Sequence, residues 1–309
     1  MSSLETKRVS AIDAVKGLAI FGVLFAHAGD STAFGGVLAP LQVTFGWCVT
    51  VFFGLAGVLE AMSSKNEKFV DYANHRAVRL GVPFIVLHLL FNIISAVLMK
   101  QGIIQDGVLV DQSWISLLLV LHAPQLYFLP WLWMVGVILW RPLRATPTVV
   151  AVVLAVGVVV IKLSFPPRTY GYGAHLENIP VYLAAFAIGF TSVRSRILWP
   201  VIICIVGGVI EISRNGAYHS LHPVVAPLLL AAIGRRAWKP LKLLSFVGTW
   251  SFAIYLWHVP LVMPAVRRML VFPMHDGVRL VIVLTLTIAL CIGWGLLLTR
   301  NRLLRFFAR

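Results

Sequence analysis

Residues 13–27 read DAVKGLAIFGVLFAH, a stretch apolar enough to enter a bilayer that nevertheless carries an aspartate, a lysine and a histidine. An ionisable group inside a membrane span costs several kcal/mol unless it pairs or lines a wet cavity, so three of them mark a functional-site hypothesis. At about 100° per residue, the step from Lys16 to His27 returns to within about 20° of its starting direction, and Asp13 falls about 40° from His27. All three therefore share one helix face. A rise of about 1.5 Å per residue separates Lys16 from His27 by roughly 16 Å, half the hydrocarbon thickness.

Two plainer readings compete. Asp13 and Lys16, three apart, can form an ion pair at a helix mouth while His27 hydrogen-bonds to a neighbouring helix. Alternatively, Lys7 and Arg8 before an apolar run and Ala26-His27-Ala28 imitate a signal peptide and its cleavage site. A signal core excludes groups such as Asp13 and Lys16, however, and the residues that follow are again membrane-like.

Composition sets the class. Hydrophobic residues make up 60% of the 309 residues and charged residues 12%, with a mean hydropathy of +0.91. Soluble chains carry about a quarter charged residues, so this is read as an integral membrane protein. The net charge of +15 falls in alternate short loops, as in oriented membrane helices, rather than in a patch suited to nucleic acid. Cys48, Cys204 and Cys291 lie alone in apolar spans, offering neither a disulfide framework nor a metal site.

Apolar windows of roughly 20 residues predict an all-α polytopic membrane protein with about ten transmembrane helices. They fall near 12–29, 38–62, 81–99, 114–140, 147–163, 178–193, 197–213, 221–234, 241–263 and 277–299. With the N-terminus cytoplasmic, inner segments hold roughly threefold more Lys and Arg than outer ones, which predicts both termini in the cytoplasm. Residues 1–309 are expected to form a single membrane domain with no appended soluble domain.

Short motifs punctuate this frame. In VFFGLAGVLEAM, Gly54 and Gly57 permit close helix approach, and Glu60 is expected to partner an arginine from the next loop. That loop holds NHRAVRLGVP, in which Arg76 and Arg79 face the same way if helical and could clamp phosphates, or simply anchor the inner surface. HAPQLYFLPWLW places His122 and Tyr127 at the outer mouth of the fourth span among belt-like aromatics. FPPRTYGYGAHLENIP sets His175 and Glu177 beside the sixth span, at an acceptor access route or a solvated turn. SFVGTWSFAIYLWHVPLV places His258 about sixteen residues into a helix rising from Lys242, a depth matching His27 in the first span.

Taken in order, these motifs resemble the acyltransferase-3 family of membrane acyltransferases. The resemblance is carried by Asp13, by Lys16 and His27 with ten residues between them, and by VFFGLAG, RAVR before LGVP, LYFLPWL and SFAIYLWHVP. It implies transfer of an acyl group, commonly acetyl, from cytoplasmic acyl-CoA to a hydroxyl of an extracytoplasmic or lipid-linked glycan. It further implies His27 as the catalytic residue, Lys16 as its motif partner, and Arg76 and Arg79 as a CoA-side pair. Lys16 stands where many relatives carry arginine, and Tyr127 replaces the more usual tryptophan. The soluble esterase-like domain fused to some relatives is not expected here.

A thioester is already activated, so such chemistry needs a base for the acceptor hydroxyl and stabilisation of the oxyanion. Imidazole suits the first task at neutral pH. The expected arrangement has acyl-CoA phosphates near Arg76 and Arg79, the pantetheine arm passing Lys16 toward His27, and the acceptor approaching near His175, Glu177 and His258, with His122 and Tyr127 beside it. Direct transfer and an acyl-histidine are both open. Acetyl-CoA is the expected co-substrate, without a metal. A glycan or lipid-linked acceptor, membrane lipids, and a periplasmic partner or second copy of the chain are the expected partners, in a bacterial cytoplasmic membrane. The competing reading is a transporter or flippase for a lipid-linked sugar that uses Asp13, Lys16 and His27 as a proton relay; a third is a non-catalytic membrane subunit.

Overall fold

The computed structural model describes residues 3–28, 47–63, 67–100, 126–164, 178–194, 199–215, 229, 242–270, 275–301 and 304–308, and among them every regular element is helical. The elements are α1 (Ser3–Ala28), α2 (Trp47–Ser63), α3 (Phe69–Arg76), a π-helical turn (Ala77–Gly81) and α4 (Val82–Lys100). There follow α5 (Phe128–Ala145), α6 (Pro147–Ser164), α7 (Ile179–Arg194), α8 (Trp199–Asn215), α9 (Lys242–Thr249) and α10 (Ser251–Trp257). A second π-helical turn (His258–Val262), α11 (Met263–Met269), α12 (Asp276–Arg300) and a 3-10 turn (Leu304–Phe307) complete them. The expected third, fifth, sixth, seventh and tenth spans coincide with α4, α6, α7, α8 and α12 to within two residues at each end. The expected eighth span, apart from residue 229, lies outside the described residues.

These helices carry their apolar residues on the outside. On α6, Val149, Val153, Val156 and Val160 follow helical spacing and are exposed, while Ala151, Ala155 and Val158 on the other side are buried. Ile202, Val206 and Val209 form a similar exposed stripe on α8. In water such stripes would be driven to associate; against acyl chains they are the expected surface of a helix whose backbone groups are satisfied internally. By length and composition, Ser10–Ala28 and Gly277–Arg300 can each cross a bilayer, and Trp47–Ser63, Pro147–Ile161, Ile179–Val193 and Trp199–Ile210 are shorter apolar helices.

The chain divides into two compact units, residues 1–65 with 138–309, and residues 66–137. In the first, two seams depend on glycine. A Cβ on Gly57 would run into the backbone carbonyl of Phe186, and one on Gly189 into that of Gly54, so α2 and α7 approach backbone to backbone as the glycines of VFFGLAG lead one to expect. Phe53 stacks on Tyr182 across this seam at 4.2 Å between ring centroids. Gly17 meets the Leu244 carbonyl and Gly248 the Asp13 carbonyl in the same manner, drawing α1 against α9. Ser245 Oγ donates to the Ser10 carbonyl at 2.9 Å and fixes the end of that contact.

Glu60 pairs with an arginine from a later helix. Its carboxylate accepts from Arg144 Nη2 at 2.8 Å, at the end of α5. Arg144 also lies over the Trp140 ring, 4.4 Å from its centroid. α5 ends next to α2 within the same compact unit, and a carboxylate only 8% exposed takes a cation that reaches it with good geometry.

In the second unit, α3, the first π-helical turn and α4 follow one another directly, and the unit also takes in the first half of α5. Trp133 Nε1 donates to the Ala73 carbonyl at 3.1 Å, tying α5 to α3.

Candidate active site

The expected ninth span is a broken helix, and the breaks set His258. Trp250 leaves helical geometry at φ −102° and ψ 6°, separating α9 from α10. Pro260 lacks the N–H that would bond the Leu256 carbonyl, and the chain widens there into the π-helical turn that begins at His258. Such turns recur at functional sites because they rotate a side chain out of the regular helical register.

His258 is 0% exposed. Its Nδ1 lies 3.0 Å from the Ile254 carbonyl and 2.9 Å from the Tyr255 carbonyl. Carbonyl oxygens only accept, so Nδ1 carries the proton and Nε2 keeps a lone pair. Among the described residues that Nε2 is buried and has no hydrogen-bond partner. Leaving such an acceptor unfilled costs about 1–3 kcal/mol.

The ring beside it is that of His27. The two imidazoles are tilted by 56° with centroids 5.3 Å apart, and the Tyr255 ring lies 6.1 Å from His258. His27 sits in the last turn of α1, where backbone carbonyls have no helical partner. Arg267, in the last turn of α11, donates from Nη2 to the His27 carbonyl and so closes α1 with a cation at its negative end. Two histidines expected at equal depth are therefore in one centre.

Asp13 and Lys16 form a pair of their own. Lys16 Nζ donates to Asp13 Oδ1 at 2.9 Å, as the plainer reading of their spacing anticipates. They lie on the half of α1 packed against α9, roughly 16 Å by helical rise from His27. Among the described residues no group of three or more His, Cys, Asp or Glu is placed to hold a metal.

Arg76, Arg79 and Tyr127 belong to the second unit. Arg76 closes α3 and Arg79 lies inside the first π-helical turn, just before the Val82-Pro83 step. The Arg76 guanidinium rests over Tyr72, 5.0 Å from its ring centroid, in space left by the missing side chain of Gly136. Desolvation and, after it, the charge of Arg76 hold the Arg79 guanidinium below its usual range. An anion bound by both would reverse the second effect. Tyr127 is half-buried in the turn that opens α5, its carbonyl accepting from Trp131 N at 3.3 Å. His122, His175 and Glu177 lie outside the described residues.

Arg267 falls between the ninth and tenth apolar windows, where hydropathy assigns it no role. Its signal was its place within one helix length of His258, close enough to return to the end of the first span once the chain is folded. The lone pair on His258 had no sequence signal at all, because it follows from which backbone carbonyls the ring reaches.

The sequence model of one family, described as "Acyltransferase domain", matches residues 9–298, nearly the whole chain. No curated protein and no solved structure matches.

Proposed function

The chain belongs to the acyltransferase family, and from that membership we propose that it transfers an acyl group, acetyl in the first instance, from acyl-CoA to a hydroxyl of a glycan or lipid-linked glycan. The observation that carries the reading is the pairing of His27 with His258 inside an apolar helical unit. An imidazole pair placed there is suited to acyl transfer from a thioester. His27 is the group at the reacting carbon. Lys16, held by Asp13, supplies positive charge on the same helix face. Arg76 and Arg79 are the candidate phosphate contacts for the CoA moiety.

Acyl transfer across a membrane moves a small neutral group instead of a sugar, which fits a chain whose ionisable residues are few. The setting proposed is a bacterial cytoplasmic membrane, with acyl-CoA on the inner side and the acceptor on the outer, His258, Tyr127, His122, His175 and Glu177 being the candidate acceptor contacts. The transporter alternative lacks the support of family membership.

The test is radiolabelled acetyl-CoA given to membranes containing the protein. Covalent label on an envelope glycan supports the reading; movement of unchanged substrate without label transfer opposes it.

A further inference from the structure

The proton inventory of the two histidines is unequal. His258 has its Nδ1 hydrogen committed to the carbonyls of Ile254 and Tyr255, so it cannot shuttle between tautomers without losing both contacts. Its single lone pair, on Nε2, is wholly enclosed and unmatched among the described residues. An unmatched buried acceptor calls for an explanation, and a donor brought by a substrate or water is one that catalysis supplies. The ring opens a π-helical turn next to His27, so the unmatched atom lies in the centre already argued to meet the acyl group.

The geometry points to His258 Nε2 as the atom that takes the proton of the acceptor hydroxyl, leaving His27 to meet the acyl carbon; this rests on the acyl-transfer reading above. As the hydroxyl oxygen bonds to the acyl carbon, its O–H bond breaks toward Nε2. The bond from that carbon to its leaving group breaks in the same step, and the leaving group is the CoA sulfur in direct transfer or a His27 ring nitrogen if the acyl group passes through it. The proton on His258 then goes to the departing thiolate or to water, and the ring returns to its starting tautomer. Locking Nδ1–H onto backbone carbonyls gives the base one orientation and one receiving atom, the task a carboxylate performs for histidine in other acyl-transfer sites.

The experiment uses the full chain in lipid nanodiscs with acetyl-CoA and two defined nucleophiles. Water must lose a proton as it attacks; hydroxylamine is nucleophilic without a base. His258→Asn keeps a donor near the Nδ1 position and removes the lone pair. It is expected to lose CoA release to water at least about tenfold more than it loses hydroxamate formation. Equal losses with the two nucleophiles, at an unchanged melting temperature, or no loss with either, overturn the assignment. If His258→Asn and His258→Gln both unfold, histidine-selective 15N NMR of the unsubstituted protein decides. A resonance pair showing bare Nε2 and protonated Nδ1 at the residue supports the proposal, and the opposite tautomer ends it. Unsubstituted protein that releases no CoA with either nucleophile counts against acyl transfer itself, a result separate from the tautomer.

Discussion

Arg267 Nη2 donates to the backbone carbonyl of His27, so the residue at the end of the first helix is held by a cation from α11. One guanidinium thus fixes the last turn of α1, on which the His27 ring depends for its place 5.3 Å from His258. A carbonyl in a final helical turn has no intrahelical donor, and a charge-assisted bond there is stronger than a neutral one. Small displacements at a reacting centre are costly, which makes Arg267 a positioning residue.

Arg267→Ala is therefore expected to lower kcat about tenfold or more while leaving KM for acyl-CoA near its original value. Arg267→Lys should recover part of the loss, since it keeps the charge without the fork of donors. Steady-state kinetics on both variants checks this; a change confined to KM would contradict it.

The α1–α9 seam makes a second prediction. Gly248→Ala forces a methyl group into the Asp13 carbonyl, and the obstacle is backbone, which cannot swing away. The cost is expected at about 1–3 kcal/mol. Gly293→Ala on α12, where the added atom meets nothing within 4 Å among the described residues, is the control and should be neutral or slightly stabilising. Thermal unfolding in detergent compares the two.

Glu60 and Arg144 should behave as a coupled pair. Glu60 is 8% exposed and Arg144 25%, so the pair is shielded but not fully desolvated. A double-mutant cycle of Glu60→Gln and Arg144→Met is expected to give a coupling energy of about 1–3 kcal/mol. Additive losses in unfolding free energy would mean that the contact contributes nothing specific.

In the second unit, Gly136→Ala tests the proposed donor contacts without removing a charge. The added methyl would displace the Arg76 guanidinium from its place over Tyr72. KM for acetyl-CoA should rise, and Arg76→Ala with Arg79→Ala should raise it further and flatten its dependence on salt. Unchanged CoA affinity in all these variants would leave the arginines as surface anchors.

The helices were legible in the sequence wherever an apolar run was long and bounded. α4, α6, α7, α8 and α12 fall where hydropathy alone places them, because burial in lipid rewards the same residues whatever their neighbours. The Lys16–Asp13 pair was legible for the same reason, being local. What sequence could not supply was contact between distant segments. His27 and His258 shared a depth, yet only folding brings their rings together, and only folding brings Arg144 to Glu60 and Arg267 to the His27 carbonyl. The break in the ninth span was signalled by Pro260, but the direction in which the π-helical turn aims His258 depends on hydrogen bonds no hydropathy window contains.

The central claim is that His27 is the group at which acyl transfer occurs. It is tested most directly by giving [14C]acetyl-CoA to membranes bearing the unsubstituted chain or His27→Ala, with insertion and melting temperature matched. The account predicts label on an envelope acceptor with the first and a loss of at least about a hundredfold with the second. Transfer at the original rate by a folded His27→Ala protein would contradict it.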